Sequence, residues 1–250
     1  MARTGGTLFG RCLACMQSVV LLSEIHPRGT RTYNPLDQAD RWYGLLTQDD
    51  IRWAQNARPD FIEAIALIEK RCRQSGRLLV IRDWSHLDYT GVPFMHPTYR
   101  SGLVQALQSR FRIRRYATVR HPLDQWISLT KNQVIRERLD PDRYITGFIH
   151  FAKMAQEVGF VRYEDFTRTP DPVLKTLCKG LDLEFDAAYS SRWQSYENIT
   201  GDVLPGRAGQ EIRQLPRQDT DTITTGRLRA LPGYHRALEA LGYAEDEGSG

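Results

Sequence analysis

Short apolar runs alternate along the chain with longer stretches in which apolar residues recur every three or four positions. Three of the runs are bounded by polar or turn residues, as buried strands are, and they lie at 78–82 (LLVIR), 116–120 (YATVR) and 160–163 (FVRY). Strands that alternate with helices are typical of a parallel sheet covered by helices. The pattern therefore predicts an α/β fold with a mostly parallel sheet flanked by helices, in a single domain over residues 1–250.

Several of the predicted helices have start or stop signals in the sequence. Phe61, Ile65, Ile68 and Cys72 lie on one helical face, which ends at Ser75-Gly76. Further helices are predicted over 8–16, over a segment that Asp140 caps and Pro141 begins, over 173–181, and over 234–241.

Two segments, 26–59 and 195–225, are polar, contain glycine and aromatic residues, and show no sustained periodicity. Long irregular segments in a compact domain are commonly lids or binding loops, and we predict that role for both. Three aromatic residues of the first segment, Trp42, Tyr43 and Trp53, either line a substrate pocket or form a small core within the lid.

The composition is that of an ordinary globular protein with a mild basic excess. The 250 residues are 41% hydrophobic and 26% charged, with a formal net charge of +4, which suffices for one buried core. Arginine side chains are suited to binding phosphate and sulfate groups. The charge is spread along the chain and no known nucleic-acid-binding motif accompanies it, so we predict no nucleic-acid partner. Neither a membrane-length apolar run nor a signal-peptide pattern is present, which predicts a cytoplasmic protein with no membrane partner.

Cys12 and Cys15 form a C-x-x-C pair, a spacing found in zinc and redox sites. Two further Cys or His ligands at matching spacing do not follow, and the pair lies in an apolar helical run, where a free cysteine behaves as a small hydrophobic residue. We therefore predict reduced, packing cysteines and no bound metal.

Small residues precede the first helical run, and this segment consists of Arg3, Thr4, Gly5, Gly6, Thr7 and Leu8. The backbone amides of such a turn, together with a helix N-terminus, can surround an anion. The turn is not a Walker A loop, since no Gly-Lys pair occurs in the chain. On this segment alone two interpretations stay open: a phosphate cradle, or a Gly-Gly turn before a helix that Thr7 caps.

The segment 119–129 (VRHPLDQWISL) places Arg120 at the end of a strand and Ser128 about two turns into the next helix. It resembles the 3′-phosphate-binding segment of sulfotransferases that use 3′-phosphoadenosine 5′-phosphosulfate (PAPS), in which the Arg and Ser contact the donor's 3′-phosphate. Residues 3–8 are similar to that family's 5′-phosphosulfate loop. The resemblance implies a P-loop NTPase-like sulfotransferase fold, PAPS as the donor and PAP as the product, with no metal.

Two further segments occur in the order that the family has them. The segment 161–166 (VRYEDF) resembles the family's Y-E-D segment, whose tyrosine lies near the adenine, which assigns that place to Tyr163. The segment 206–209 (GRAG), shortly after Gly201, resembles the C-terminal loop that folds back over the 3′-phosphate, which assigns that contact to Arg207. The resemblance covers nearly the whole chain.

The chain departs from the family pattern in the loop and before it. Gly6 replaces the usual second Ser or Thr, and Arg3 stands where many members have lysine. In the family the loop follows a central strand, whereas only Met1 and Ala2 precede Arg3, too few for a strand. We expect either that the native start lies upstream or that the sheet tolerates a very short first strand.

Sulfuryl transfer needs in-line approach of the acceptor, positive groups on the leaving phosphate, and a base. Arg3 and the amides of residues 4–8 would stabilise that phosphate. Glu24 follows the loop by one helix and a short connection, as the catalytic glutamate of protein-tyrosine sulfotransferases does, whereas His86 follows the 78–82 strand, as the histidine of cytosolic small-molecule sulfotransferases does. We favour Glu24 as the base, because burial can raise the pKa of a carboxyl near the loop toward neutrality.

The sequence thus favours a PAPS-dependent sulfotransferase that acts on a hydroxyl or amine of a small molecule, a peptide or a glycan. A nucleotide-dependent small-molecule kinase is one alternative, but it would need magnesium and does not explain the segment 119–129. A protein that binds PAPS or PAP and has lost catalysis is the other, and the substituted loop would explain it.

Overall fold

The computed structural model describes residues 1–201, 211–213 and 222–245, and its strands form two parallel pairs. β1 (Val19–Ile25) pairs with β2 (Leu78–Asp83), and β3 (Ala117–Val119) pairs with β4 (Phe160–Arg162). The helices are α1 (Gly6–Ala14), α2 (Pro35–Tyr43), α3 (Gln48–Ala57), α4 (Phe61–Gln74), α5 (His86–Tyr89), α6 (Gly102–Leu107), α7 (Pro122–Thr130), α8 (Gln133–Arg138), α9 (Pro141–Val158), α10 (Tyr163–Arg168), α11 (Pro170–Leu181), α12 (Tyr189–Arg192), α13 (Thr222–Arg229) and α14 (Pro232–Leu241).

All three predicted strands are present, as β2, β3 and β4, and each of their ends lies within one residue of the prediction. β1 was not predicted, because the sequence analysis expected only a short connection before Glu24. Every residue of β1 except Glu24 is buried, as in a central strand covered on both faces. Its apolar run is only the four residues 19–22 (VVLL), which Ser23 and Glu24 follow, and so short a run has no periodicity that separates a strand from a helix.

The predicted helices are confirmed as α1, α4, α9, α11 and α14. A capping box begins α4, in which Asp60 accepts from the backbone amide of Glu63 and the Glu63 carboxylate accepts from the amide of Asp60. Asp140 caps α9 as predicted, with Pro141 as the first helical residue. No helix in the described part of the chain is long and apolar enough to cross a lipid bilayer.

The prediction of an irregular segment over 26–59 is wrong, because the segment contains α2 and α3. Asn34 caps α2, with Pro35 at its first position, and Thr47 forms a capping box with Asp50 at the start of α3. Both are start signals that a sequence shows. The sequence shows no apolar periodicity over these helices, since α3, for example, buries only one residue, Asp50. In 195–225, the described residues up to Gly201 form no helix or strand, and α13 begins at Thr222.

The aromatic residues of that first segment are parts of helices. Tyr43 packs beside β1, where its hydroxyl donates to the carbonyl of Leu21 at 2.9 Å and accepts from the amide of Leu21 at 3.0 Å. Trp53 is 39% exposed on α3. Neither of them, nor Trp42, lines the large cleft described next.

The two pairs of strands face each other across a cleft of about 1220 Å³, which β2 lines on one side and the approach to β3 lines on the other. In the described residues no ladder joins β2 to β3, and Leu78 at the start of β2 is 48% exposed. Met1 and Ala2 form no strand, so the upstream start stays a prediction. Side chains at the carboxyl ends of β1, β2 and β3 line the cleft, which is where open α/β sheets bind ligands.

Candidate active site

The loop of residues 3–8 lies at the N-terminus of α1. Gly5 is the N-cap of this helix in a left-handed conformation, with φ of 82°, and a Cβ on Gly5 would overlap the ring of Tyr163. Both the backbone and the space therefore require glycine here. Thr7 is not the cap; it lies inside α1, with its hydroxyl 3.5 Å from the carbonyl oxygen of Thr200. Since no side chain caps the helix, the amides of its first turn can bind an anion.

Arg3, Arg120, Ser128 and Tyr163 come together beside this loop. The Nε of Arg3 donates to the Oγ of Ser128 at 2.8 Å, and Nη1 of Arg120 donates to the carbonyl of Arg3 at 3.4 Å. The Arg120 guanidinium lies 4.7 Å above the centre of the Tyr163 ring. Its Nε is buried and has no hydrogen-bond acceptor among the described residues. A guanidinium with a buried, unused donor is suited to a phosphate oxygen.

The other loop residues fix the loop in place. Thr4 is buried, and its hydroxyl lies 3.0 Å from that of Thr118 on β3. A Cβ on Gly6 would lie 3.1 Å from Nη1 of Arg82, so the missing side chain leaves room for the guanidinium. Leu8 packs against the apolar cluster that surrounds α1. The loop is thereby held between β2 and β3.

Glu24 lies at the carboxyl end of β1, where the register of the β1–β2 ladder shifts between Ser23 and Ile25. Its φ of 57° is left-handed, a strained value that is common at functional sites. The irregularity places Glu24 in the lining of the cleft. Burial, together with the negative charge of the nearby Glu24 carboxylate, raises the pKa of Tyr33 to about 12.

Arg82, which the sequence analysis did not single out, links the elements around Glu24. Its Nη2 donates to Ser23 Oγ at 2.6 Å and to the carbonyl of Thr200 at 2.7 Å, and its Nη1 lies 3.5 Å from the hydroxyl of Thr7. The same Nη2 lies 3.7 Å from Oε1 of Glu24. Burial lowers the pKa of Arg82, and the Glu24 carboxylate opposes that effect. The one signal in the sequence was an arginine at the end of an apolar strand.

His86 begins α5 and also lines the cleft, with its ring edge-on to Trp84 at 5.5 Å. Burial lowers the pKa of His86 to about 3, and nearby positive charges, Arg82 among them, act in the same direction. The imidazole is therefore neutral at neutral pH. Next to it on β2, burial raises the pKa of Asp83 to about 6. The structure thus brings both candidate bases, Glu24 and His86, to one cleft.

In the Y-E-D segment, Tyr163 lies at the candidate site, whereas Glu164 has a structural role. Glu164, next to Tyr163, is buried and accepts hydrogen bonds from the amide of His121 and the hydroxyl of Tyr243, both at 2.9 Å. Burial raises the pKa of Glu164, and these donors oppose that effect. Glu164 therefore ties the entry of α7 to the end of α14.

Arg207 and the rest of 206–209 lie outside the described residues. Gly201 is described, with φ of 103°. A Cβ there would lie 2.6 Å from the hydroxyl oxygen of Thr7 and 3.8 Å from Oε1 of Glu24. The chain at Gly201 therefore passes directly beside the loop and the candidate base.

The surroundings of Cys12 and Cys15 are those of residues that pack in the protein interior. Cys12 is fully buried in the core, and the thiol of Cys15 donates to the Cys12 carbonyl at 3.3 Å. Burial raises the pKa of both thiols, to about 11 for Cys15. Within residues 1–201, 211–213 and 222–245, no three His, Cys, Asp or Glu side chains are grouped as a metal site would need.

Comparison with known proteins identifies the fold. No protein-family profile and no curated protein matches the sequence. Among solved structures, the chain is similar to the sulfotransferase domain of the olefin synthase from Synechococcus PCC 7002, with 19% identity and a TM-score of 0.64 over 97% of this chain and 92% of that one. It also aligns with the sulfotransferase domain from the curacin biosynthetic pathway, with 16% identity and a TM-score of 0.42 over 97% and 95% of the two chains. The predicted α/β sulfotransferase fold is confirmed by the first of these structures.

Proposed function

We propose that this chain, which has the sulfotransferase fold, transfers the sulfuryl group of PAPS to a hydroxyl or amine of an acceptor and releases PAP. The observation that best supports the proposal is the convergence of Arg3, Arg120 and Ser128 at the uncapped N-terminus of α1. A nucleotide with phosphates on both its 3′ and 5′ sides needs two neighbouring groups of cationic and amide donors. This site offers both groups.

The residues present fit such a donor. Arg3 and the amides of residues 4–8 would hold the 5′-phosphosulfate, while Arg120 and Ser128 would hold the 3′-phosphate. The buried, unpartnered Nε of Arg120 supports this assignment, because a phosphate oxygen would supply its missing acceptor. Tyr163, against which Gly5 packs, would lie beside the adenine. Arg207 is proposed as a further contact to the 3′-phosphate.

During transfer the acceptor oxygen or nitrogen bonds to sulfur as the bond between sulfur and the bridging 5′-phosphate oxygen breaks. The electron pair of that bond stays on the phosphate oxygen, where Arg3 and the α1 amides stabilise the added charge. The acceptor's proton passes to the base. The protein supplies position and charge at each step, and no covalent enzyme intermediate forms.

We propose Glu24 as the base rather than His86. Glu24 is connected to the loop through Arg82, whose guanidinium lies near both the Glu24 carboxylate and the hydroxyl of Thr7. The same carboxylate lies close to Gly201, which is in turn beside Thr7. A base near the loop is near the sulfur of a donor that the loop holds. The contacts of His86 are instead with the aromatic ring of Trp84.

Titration of the protein with PAP by calorimetry, followed by transfer of labelled sulfate from PAPS to a panel of acceptors, tests the function. We expect PAP to bind, and transfer to proceed with EDTA present. A kinase would instead need Mg²⁺ and ATP. Arg120→Ala should abolish PAP binding, whereas Arg52→Ala, which changes an exposed arginine on α3, should leave it unchanged. A folded protein that does not bind PAP would overturn the proposal, and binding without transfer to any acceptor would identify a donor-binding protein.

A further inference from the structure

Tyr243, just after α14, lies next to the proposed donor site but outside the cleft. The residue is 6% exposed and is not part of the cleft lining. Its hydroxyl donates to Oε2 of Glu164 at 2.9 Å, and its ring meets the ring of His121 edge-on at 5.4 Å. Glu164 follows Tyr163 in the chain, and His121 follows Arg120. Tyr243 therefore contacts the neighbour of each of two residues that we propose as donor contacts.

The Glu164 carboxylate joins the two donor-binding segments. Its Oε1 accepts from the amide of His121 at 2.9 Å, while Oε2 accepts from Tyr243. Glu164 and His121 are both buried, so water competes little for these bonds. The His121 amide belongs to the planar peptide unit that begins at the Cα of Arg120. The bond to Glu164 therefore fixes the backbone from which the Arg120 side chain extends.

The positions of Arg120 and Tyr163 depend on each other. The Arg120 guanidinium lies 4.7 Å above the centre of the Tyr163 ring, and this ring in turn packs against Gly5 of the loop. In the proposed complex, Arg120 holds the 3′-phosphate and Tyr163 lies beside the adenine of the same nucleotide. Groups that are already held in the right arrangement bind a ligand more tightly, because less ordering is needed on binding. A carboxylate that fixes both segments should therefore raise donor affinity.

The end of α14 is attached to β4 on one side and to the start of α7 on the other. The Arg162 guanidinium lies 4.5 Å above the centre of the Tyr243 ring, and its Nη2 donates to the carbonyl of Leu241 at 2.6 Å. Nε2 of His121 lies 3.2 Å from the carbonyl oxygen of Ala244. Because a carbonyl oxygen can only accept, this nitrogen is the donor. These contacts keep the Tyr243 hydroxyl in place.

Glu164 must be ionised to accept both bonds, since a protonated carboxyl carries a hydrogen on one of its oxygens. Burial raises the pKa of Glu164, and hydrogen bonds from the amides of His121 and Glu164 itself and from the Tyr243 hydroxyl, together with the charge of Arg120, oppose that effect. Removal of the Tyr243 hydroxyl takes away one opposing effect, so the pKa of Glu164 rises further. The other ionisable groups around this carboxyl are Tyr163, Asp124 beside the His121 ring, and Arg162 above the Tyr243 ring.

We infer that Tyr243 is a positioning residue for the nucleotide donor: through Glu164 it fixes the backbone beside Arg120 and Tyr163, although it does not itself touch the donor. The inference rests on the proposed function, since it concerns the affinity of the same donor site. It goes beyond that function by giving the end of α14 a part in donor binding. The arrangement is complete while Glu164 is ionised, and it is lost as the pH falls through the pKa of that carboxyl.

Calorimetry with PAP tests the role of the Tyr243 hydroxyl. Tyr243→Phe removes only this oxygen, and we expect it to weaken PAP binding about 5- to 20-fold at pH 7.5, less than the loss of a direct charged contact would. Tyr189→Phe is the matched control, because Tyr189 is also buried and donates to a carboxylate, that of Asp171 at 2.6 Å, but lies outside the cleft lining. The control should lose a similar amount of stability in urea unfolding and keep the wild-type affinity for PAP.

The pH dependence separates positioning from a general loss of packing. The ratio of the wild-type PAP affinity to that of Tyr243→Phe should grow from pH 8.5 to pH 5.5, because Glu164 takes up its proton at a higher pH in the variant. The titration of PAP itself cancels in this ratio, since both proteins bind the same ligand. Glu164→Gln keeps an acceptor oxygen for the His121 amide but does not titrate. In that background, the loss caused by Tyr243→Phe should not change with pH.

Two outcomes would overturn the inference and leave the sulfotransferase proposal intact: a folded Tyr243→Phe with wild-type affinity for PAP, or a loss of affinity that is the same at every pH. If the wild type does not bind PAP, the proposed function is wrong and the inference falls with it. Amide hydrogen exchange without nucleotide is an independent measurement. Exchange at the His121 amide should be faster in Tyr243→Phe and unchanged in Tyr189→Phe, and equal exchange in Tyr243→Phe and the wild type would also overturn the inference.

Discussion

The Nε of Arg3 donates a hydrogen bond to the hydroxyl of Ser128 at 2.8 Å, across 125 positions of the chain. The bond joins the loop before α1 to the second turn of α7, and each of these segments carries one part of the proposed donor site. Because the two residues are bonded directly to each other, the groups proposed to hold the 5′-phosphosulfate and the 3′-phosphate are immediate neighbours, as one bound nucleotide requires.

Removal of either partner should weaken PAP binding. Hydrogen bonds to charged groups contribute about 1.5–3 kcal/mol, so we expect Ser128→Ala and Arg3→Ala each to lower PAP affinity about 10- to 100-fold in calorimetry. The double variant should lose less than the product of the two effects, because the residues are in direct contact. Ser191→Ala on α12 is the control. Unchanged affinity in Ser128→Ala would contradict the placement of the donor.

A methyl group at Gly5 should be far more harmful than one at Gly76. Both glycines have positive φ, 82° and 68°, so alanine strains the backbone by about 1–2 kcal/mol at each. Only at Gly5 would the new Cβ also overlap the Tyr163 ring, whereas at Gly76 it would meet nothing within 4 Å. Gly5→Ala should therefore lose more stability in urea unfolding and should also lose PAP affinity. Equal effects on both measurements would show that the loop does not pack as described.

The sequence predicted most of the structural features that depend on residues close together in the chain. Helix caps such as Asp140 and the strands around Val80 and Val119 follow from turn residues and apolar runs, which act within a few positions. The same local reasoning brought Arg120 and Ser128 into consideration, because one strand and the helix after it fix their spacing. Their meeting with Arg3 required a resemblance to a known family, since residues so far apart come together only through the tertiary fold.

The elements that the sequence analysis missed depend on long-range contacts. β1 has an apolar run of only four residues, 19–22, and its parallel pairing with β2 makes it a strand. Arg82 is held at the site by hydrogen bonds to Ser23 and Thr200, which are 59 and 118 positions away in the sequence.

Glu24→Gln and His86→Asn separate the two candidate bases. The glutamine keeps the size of Glu24 but cannot take a proton, so kcat should fall about 100- to 10,000-fold with PAP affinity unchanged. His86→Asn should reduce kcat much less, since among the described residues no hydrogen bond joins its ring to the loop, whereas Arg82 lies near both Glu24 and Thr7. Single-turnover assays at saturating PAPS measure both. The opposite order of effects would assign the base to His86.

The partly buried imidazole of His86 should make the protein less stable in acid. Its pKa is about 3 in the fold and about 6.5 in an unfolded chain, so below pH 6.5 the unfolded state binds a proton that the folded state does not. Stability is therefore full above pH 6.5 and declines as the pH falls, by up to about 1.4 kcal/mol per pH unit. Asp83, whose pKa is raised to about 6, acts in the opposite direction, but it does so equally in the wild type and in His86→Asn. Urea unfolding of both proteins at pH 7.5, 6 and 5 should thus show the variant gaining relative stability toward pH 5, whereas a difference that does not change with pH would mean that His86 titrates normally and is open to water.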